Sequence, residues 1–361
     1  MRRFVPRGLV LAVALAAAAC AGSGARGPEP DGPYVVVLGT AQDGGLPHIG
    51  CDSGNCAAAK SDPSRRRLVT SLMLCDPRSG KRWLFDCTPD VREELDRARG
   101  LPEKRFAAPA DPAAPAAPRP PPFDGMFLTH AHMGHYSGLL QLGREAYSVT
   151  GVPTYVTPRF AGFLRGNDPW KRMVDDGRLV LRDLVPGDPG GAGGGGASVE
   201  LAPDLHVDCF RVPHRDEFSD TVGFVIRGPH RSLAYLPDID KWEKWDAWTW
   251  AEAGAGAPAP SLSPSQGQRV EALIRAVDYA LLDGCFFADG EIPGRSIKDI
   301  PHPFIAESVA RFAPLPAAER AKVFFTHLNH TNPAADPASD AARSVGAAGM
   351  HVLDEEHRFG L

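Results

Sequence analysis

Three histidines, His130, His132 and His135, fall within the heptapeptide Thr129-His130-Ala131-His132-Met133-Gly134-His135. Imidazole nitrogens are common metal ligands, and protein zinc is held by three or four N, S or O donors that meet at one point. Twelve histidines in 361 residues make any single one uninformative, with an ordinary core or surface place as the default. Three within six residues reverse that default and predict a metal clamp.

A clamp of this kind needs fixed backbone behind it. Phe127 and Leu128 close a short apolar run, and Tyr136-Ser137-Gly138-Leu139-Leu140 opens a helical pattern, so the histidines are expected on a strand-to-helix turn. Further apolar runs read as strands at Tyr34 to Leu38, Leu68 to Cys75, Arg82 to Phe85 and Met126 to Thr129, with helical patterns between several of them. Three more strands end on residues that can bind or catalyse. Val207 to Pro213 leads into His214, Ser232 to Pro237 into Asp238, and Lys322 to Thr326 into His327. A strand end is a rigid place from which to aim a ligand. Asp283, after Tyr279-Ala280-Leu281-Leu282, is another strand-end carboxylate, and His302 is fixed between Pro301 and Pro303. Either of these two could touch substrate; a surface-loop role for His302 stands equally open.

His130-x-His132-x-Gly134-His135 resembles the H-x-H-x-D-H signature of the metallo-β-lactamase superfamily. The resemblance implies an α/β fold, the four-layer αβ/βα sandwich with a metal site between its sheets. It implies an active-site ligand set of His130, His132, His135, His214, Asp238 and His327, with Asp238 able to bridge two metals. Asp86, ending the strand Arg82-Trp83-Leu84-Phe85, stands where the family keeps an aspartate behind the histidine loop; Thr88 or Asp86 could also cap a helix that begins near Pro89, and the two roles are compatible. One letter departs from the signature. Gly134 stands where the family has an aspartate that helps to hold the second metal, so the site is expected to carry one ion, or two with the second held weakly.

The run from Leu38 to Cys51, with Gln42-Asp43-Gly44-Gly45 inside it and Cys56 after it, resembles the opening of the pyrroloquinoline quinone synthesis protein B family and of the related phosphoribosyl cyclic phosphodiesterases. In that resemblance, Cys51, Cys56 and His330 hold a separate structural zinc, with His48 as fourth ligand and Asp52 as the competitor. A Cys51 to Cys56 disulfide is the alternative, since an exported protein can form one.

Arg2, Arg3 and Arg7 precede an apolar segment from Leu9 to Ala19, which is too short to span a bilayer and has the build of a signal peptide. Cys20 before Ala21-Gly22-Ser23 resembles a bacterial lipoprotein site, although Ala17 replaces the usual leucine and simple cleavage stays open. Residues 1–20 are thus expected to direct export, to the periplasm or as an outer-membrane-anchored lipoprotein whose only membrane contact is the lipid on Cys20. Residues 21–33 form a tether and residues 34–361 the domain, with an Ala/Pro-rich insertion at 107–122 and Gly-rich loops at 187–196 and 254–264. The two halves of the domain are expected to divide near residue 190. A hydrophobic content of 43 % supports one full core, and a net charge of -5 argues against a nucleic-acid groove, which needs clustered Lys and Arg. Cys75, Cys87, Cys209 and Cys285 read as small buried hydrophobes. Trp242, Trp245, Trp248 and Trp250 read as core or lid packing, with an aromatic substrate wall as the other option.

Bound zinc acidifies its water toward a pKa of about 7 and polarises a carbonyl or phosphoryl oxygen. The first expectation is therefore a metallo-hydrolase of an ester, amide or phosphodiester in a small molecule, with Asp238 orienting the attacking water and His302 as a second catalytic candidate. An oxygen-using metalloenzyme related to pyrroloquinoline quinone biosynthesis is the second reading, and a non-catalytic metal-binding lipoprotein the third. The active-site donors suit zinc, iron or manganese.

Overall fold

The computed structural model describes residues 31–102, 121–187, 198–248 and 269–361 apart from 293, 295, 298 and 299. The signal segment, Cys20, most of the tether, nearly all of the 107–122 insertion, the two Gly-rich loops apart from Gly187, and Trp250 lie outside the described residues. Among the described residues no helix is long and apolar enough to cross a membrane.

Among the described residues, fourteen strands form two seven-stranded sheets. The first holds β1 (Tyr34–Gly39), β2 (Ser71–Asp76), β3 (Lys81–Phe85), β4 (Gly125–Phe127), β5 (Val152–Val156) and β6 (Leu179–Asp183) in sequence order, with β14 (Arg358–Gly360) beside β1. The second runs from β7 (Val199–Ala202) through β8 (Leu205–Val212), β9 (Thr221–Arg227), β10 (Ser232–Leu236), β11 (Tyr279–Asp283) and β12 (Val323–Thr326) to β13 (His351–Val352). The halves divide between residues 183 and 199, as the sequence suggests near 190, except that β14 crosses back to close the first sheet. Each sheet begins antiparallel and turns parallel, at β3 in the first and at β10 in the second.

Strict alternation explains the layering. In β1, Val35 and Val37 join the apolar layer between the sheets, whereas Tyr34, Val36 and Leu38 pack on the helices outside. In β10, Leu233 and Tyr235 face the other sheet while Ala234 and Leu236 face the second helical layer. A strand covered on both faces reads as a continuous apolar run, because successive side chains point to opposite sides and both sides are dry. Helices Val91–Arg97, Pro158–Gly166 and Trp170–Asp175 cover the first sheet. Trp242–Ala247, Arg269–Ala276, Ile305–Phe312 and Asp340–Ala347 cover the second. The result is the four-layer αβ/βα sandwich of the metallo-β-lactamase fold.

Trp242 and Trp245 are buried in the second helical layer, where the Trp242 indole N–H donates to Ser308 Oγ (2.8 Å) and Trp245 stacks on Phe210 (5.9 Å between ring centres). Trp248 packs on the same cluster. These tryptophans are core, and the aromatic-wall reading does not hold for them. Cys75, Cys87, Cys209 and Cys285 are all buried.

Candidate metal centre

The loops that follow β3, β4, β8, β10, β11 and β12 gather at one edge of the sandwich, the carboxyl ends of the strands, where folds of this type place their ligands. After β4 the chain passes Thr129 and His130 and enters the short helix Met133–Tyr136, so the strand-to-helix turn read from the sequence is present. His130 Nε2 lies 2.9 Å from His132 Nδ1, and His214 Nε2 lies 3.2 Å from the same atom. Asp238 Oδ2 stands 3.2 Å from both His130 Nε2 and His214 Nε2. Donor atoms of these four residues all fall within 4.8 Å of one another. Ligands about 2.0–2.2 Å from a tetrahedral ion are about 3.3–3.6 Å apart, so the spacing fits a single cation.

Each ring is held from behind. Thr129 Oγ1 meets His130 Nδ1 (3.0 Å), Glu217 Oε2 meets His132 Nε2 (2.8 Å), and Asp240 Oδ1 meets His214 Nδ1 (3.2 Å). Partners of this kind fix the ring orientation and leave the other nitrogen free to ligate. Burial alone would push the Asp238 carboxyl up, yet His214 and His302 hold it well below the usual carboxylate range. Burial likewise opposes a charge on His214, but Asp238 and Asp240 lift it to about 10. The site is thus a buried anionic pocket lined with imidazoles, the electrostatic counterpart of a cation.

His135 and His327 sit beside this group with ring centres 5.3 Å apart, both buried. His135 Nδ1 donates to Asp86 Oδ2 (2.8 Å), and its Nε2 has no hydrogen-bond partner among the described residues. His327 has none at either nitrogen. Buried polar atoms are almost always paired, so such donors facing one spot are the mark of a ligand site. His327 and Asp86 both adopt left-handed backbone, φ 61°, a strained choice for residues with a side chain and one that recurs at functional sites. Asp86 is no helix cap, since helix Val91–Arg97 starts after Asp90. It accepts instead from Thr129 N (2.8 Å), the Thr129 hydroxyl (2.9 Å) and the Tyr235 hydroxyl (3.2 Å), and so pins the histidine turn.

His302 and Asp283 also reach the site. His302 Nδ1 donates to Asp283 Oδ2 (2.8 Å) and lies 3.4 Å from Asp238 Oδ1. His302 is 5 % exposed, which rules out the surface-loop role for it. Cys285, read from the sequence as a plain hydrophobe, brings its sulfur within 4.8 Å of ring nitrogens of His302 and His327.

Gly134 leaves room for a neighbouring turn. The space beside it is filled by Asp43, from the turn after β1, and a Cβ added at residue 134 would fall 2.1 Å from Asp43 Oδ1 and 2.7 Å from Asp43 Cα. Asp43, His135 and His327 offer donor atoms within 4.8 Å of one another. Substituting aspartate for Gly134 would collide with this turn rather than fill a gap. Asp43, Glu217 and Asp240 are the site residues that sequence reading missed. For Asp240 a signal existed, its place two residues beyond Asp238; for Asp43 it was a carboxylate in a Gly-rich turn.

A second cluster lies on neighbouring loops. Cys51, Cys56 and His330 bring donors within 4.8 Å, with Cys56 Sγ 3.4 Å from His330 Nδ1. Both cysteines are free thiols, not a disulfide. A hydrogen bond from Cys56, with help from Ser53, lowers the Cys51 thiol, while burial raises that of Cys56. Asp52 turns outward to Lys60 (2.5 Å), with its side chain 84 % exposed, so it is not the fourth donor. The His48 ring is close but stacks on His330 (4.4 Å between centres), its Nδ1 2.9 Å from the Ile49 carbonyl, so no nitrogen of His48 joins the converging group in this rotamer.

Residues 81–255 match the family model described as "Beta-lactamase superfamily domain". Over those residues this chain is similar to the beta-lactamase superfamily. The chain is 27 % identical over 344 residues to Coenzyme PQQ synthesis protein B of Methylobacterium radiotolerans, covering 89 % of this chain and 97 % of that one. It is 25 % identical over 341 residues to the protein of the same name from Methylorubrum extorquens, covering 89 % and 98 %. Among solved structures it is similar to zinc-bound PqqB from Methylobacterium extorquens, with a TM-score of 0.64 at 21 % identity, covering 91 % and 100 %. A diphosphatase from the PhnP family gives 0.55 at 21 %, covering 91 % and 97 %. At that identity the two structures share its fold.

Proposed function

We propose that this protein is a metal-dependent hydrolase acting on an ester, amide or phosphodiester of a small molecule. The observation that carries the reading is the convergence of His130, His132, His214 and Asp238 on one point, beside a second pair of imidazoles whose inward nitrogens have no hydrogen-bond partner among the described residues. His130, His132, His214 and Asp238 would hold one ion, with His135 and His327 beside Asp238 for a second; zinc, iron and manganese all suit these donors. Such an ion, when bound, supplies Lewis acidity toward a carbonyl or phosphoryl oxygen and acidifies water. Asp238 stays ionised and directs its Oδ1, which has no hydrogen-bond partner, toward the site, where it can orient a water and take its proton. Asp283 accepts the Nδ1 proton of His302, leaving Nε2 as the ring atom that exchanges a proton with the leaving group. We also propose a structural zinc on Cys51, Cys56 and His330, with His48 as fourth ligand after a turn of its ring, and export directed by residues 1–20.

The reading is tested by metal analysis of the purified chain, followed by chromogenic phosphodiester, ester and amide substrates before and after chelation. Turnover that chelator abolishes and added metal restores is expected. Active-site metal content unchanged in the His130→Ala, His132→Ala variant, or no hydrolysis of any class, would overturn it. Similarity to Coenzyme PQQ synthesis protein B over 89 % of this chain favours an oxygen-using metalloenzyme as the second reading; oxygen consumption with a phenolic substrate in place of hydrolysis would select it. A chain that binds metal and turns over none of these substrates would select the third, non-catalytic reading.

A further inference from the structure

We propose that Asp43 supplies the carboxylate of the second active-site ion, taking over by position in space what the residue at Gly134 does not provide. The inference rests on the metal-dependent reading above and deepens it. Asp43 sits in a turn closed by Gly45 N–H donating to the Gln42 carbonyl (2.8 Å), and the left-handed Gly45 (φ +68°) lets the chain double back there. Gln42 is anchored by its N–H to the Leu328 carbonyl (2.9 Å) and by its side-chain oxygen, which accepts from Asn329 Nδ2 (3.0 Å). Its Nε2 then donates to Asp43 Oδ2 (2.9 Å). One carboxylate oxygen is thereby held. The other, Oδ1, is buried without a hydrogen-bond partner among the described residues and lies 3.7 Å from His135 Nε2, which has none either. His327, fully buried and without a partner at either nitrogen, completes the group, and Asp238 Oδ2 stands 3.9 Å from His135 Nε2.

Four observations coincide: an anchored carboxylate, two buried imidazoles with open nitrogens, separations near the edge of a tetrahedral coordination shell, and the absence of a side chain at the one residue that would block the approach. Asp238 is then shared between two donor groups, His130/His132/His214 on one side and Asp43/His135/His327 on the other. The proposed site has the same number of anionic groups as an aspartate at residue 134 would give, delivered from the opening loop instead of the histidine helix.

The test is metal stoichiometry, read by elemental analysis and by calorimetric titration of the demetallated full chain with Zn²⁺ and with Mn²⁺. Asp43→Asn keeps the shape of the side chain and removes its charge. Loss of a supporting partner alone costs about 10–100-fold in metal affinity, so loss of a ligand is expected to weaken one active-site ion by about 100-fold or more, sparing the ion at His130/His132/His214 and the one at Cys51/Cys56/His330. Gly134→Ala approaches from the other side. Its methyl group would displace Asp43 Oδ1, and it is expected to weaken the same ion with Asp43 unchanged. Two active-site ions bound with wild-type affinity in Asp43→Asn would overturn the inference while leaving the proposed function standing, as would a wild-type chain that takes a single active-site ion. A wild-type chain with no active-site ion would overturn the proposed function itself.

Discussion

His130, His132, His214 and Asp238 hang from the ends of three strands inside the sandwich, whereas Cys51, Cys56 and His330 hang from two loops and the first turn of helix Gly54–Ser61. In the first group every histidine is gripped at its outer nitrogen by Thr129, Glu217 or Asp240. In the second, the candidate fourth ligand is turned aside, and Cys51 is only half-buried. The difference separates two uses of metal chemistry. A site built on sheet ends keeps its geometry without the ion and can reserve coordination for substrate. One built on loops is completed by the ion, whose binding energy then becomes folding energy.

The sharpest break of this comparison is His130→Ala, His132→Ala, which should remove the ion between the sheets and lower turnover by at least about a thousandfold, as loss of a principal catalytic element does. The Cys51/Cys56/His330 ion should stay, and elemental analysis would show it. Next in size is Cys56→Ser. A tie between residue 56 and residue 330 closes a long loop, and cross-links of that span restrict the unfolded chain by about 4–5 kcal/mol. Tm should fall by roughly 8–20 °C at about 2–4 °C per kcal/mol, with one zinc released and the active-site ions retained. An unchanged Tm would erase the distinction between the two sites.

Glu217→Gln probes a finer point, because Glu217 grips His132 from an accessible position, its side chain 46 % exposed. Active-site metal affinity should weaken about 10-fold, at the low end for such partners, with Tm little changed. Asp52→Ala should do least of all. Its exposed pair with Lys60 contributes little to stability, so both zinc content and Tm should match wild type; lost zinc would restore Asp52 as the fourth donor.

The strand ends were legible because β4, β10 and β12 are covered on both faces and announce themselves as apolar runs, β8 intersperses half-buried polar residues among its buried ones, and a histidine or aspartate just beyond such a strand stands out. Their convergence was supplied by the resemblance, since no single segment says that residues 130, 214 and 238 meet. Asp43 shows the limit most clearly. It and Gly134 are far apart in sequence, and the turn that joins them depends on Gly45, on Gln42 and on its two contacts with Leu328 and Asn329. Ring orientation was equally hidden: the His48 ring stacks on that of His330, and whether an imidazole ligates or stacks is decided by a rotamer. Asp52 had the right chemistry and the wrong direction, drawn outward by Lys60.

The 2.1 Å separation between Asp43 Oδ1 and a Cβ at residue 134 has a reach beyond this chain. Two side chains cannot share that volume, so on this backbone positions 43 and 134 are mutually exclusive owners of one carboxylate. Considered one position at a time, the glycine registers as a deletion; considered as a pair, the same two residues register as a transposition. On this backbone the volume beside His135 takes one carboxylate, and either position can deliver it, but not both.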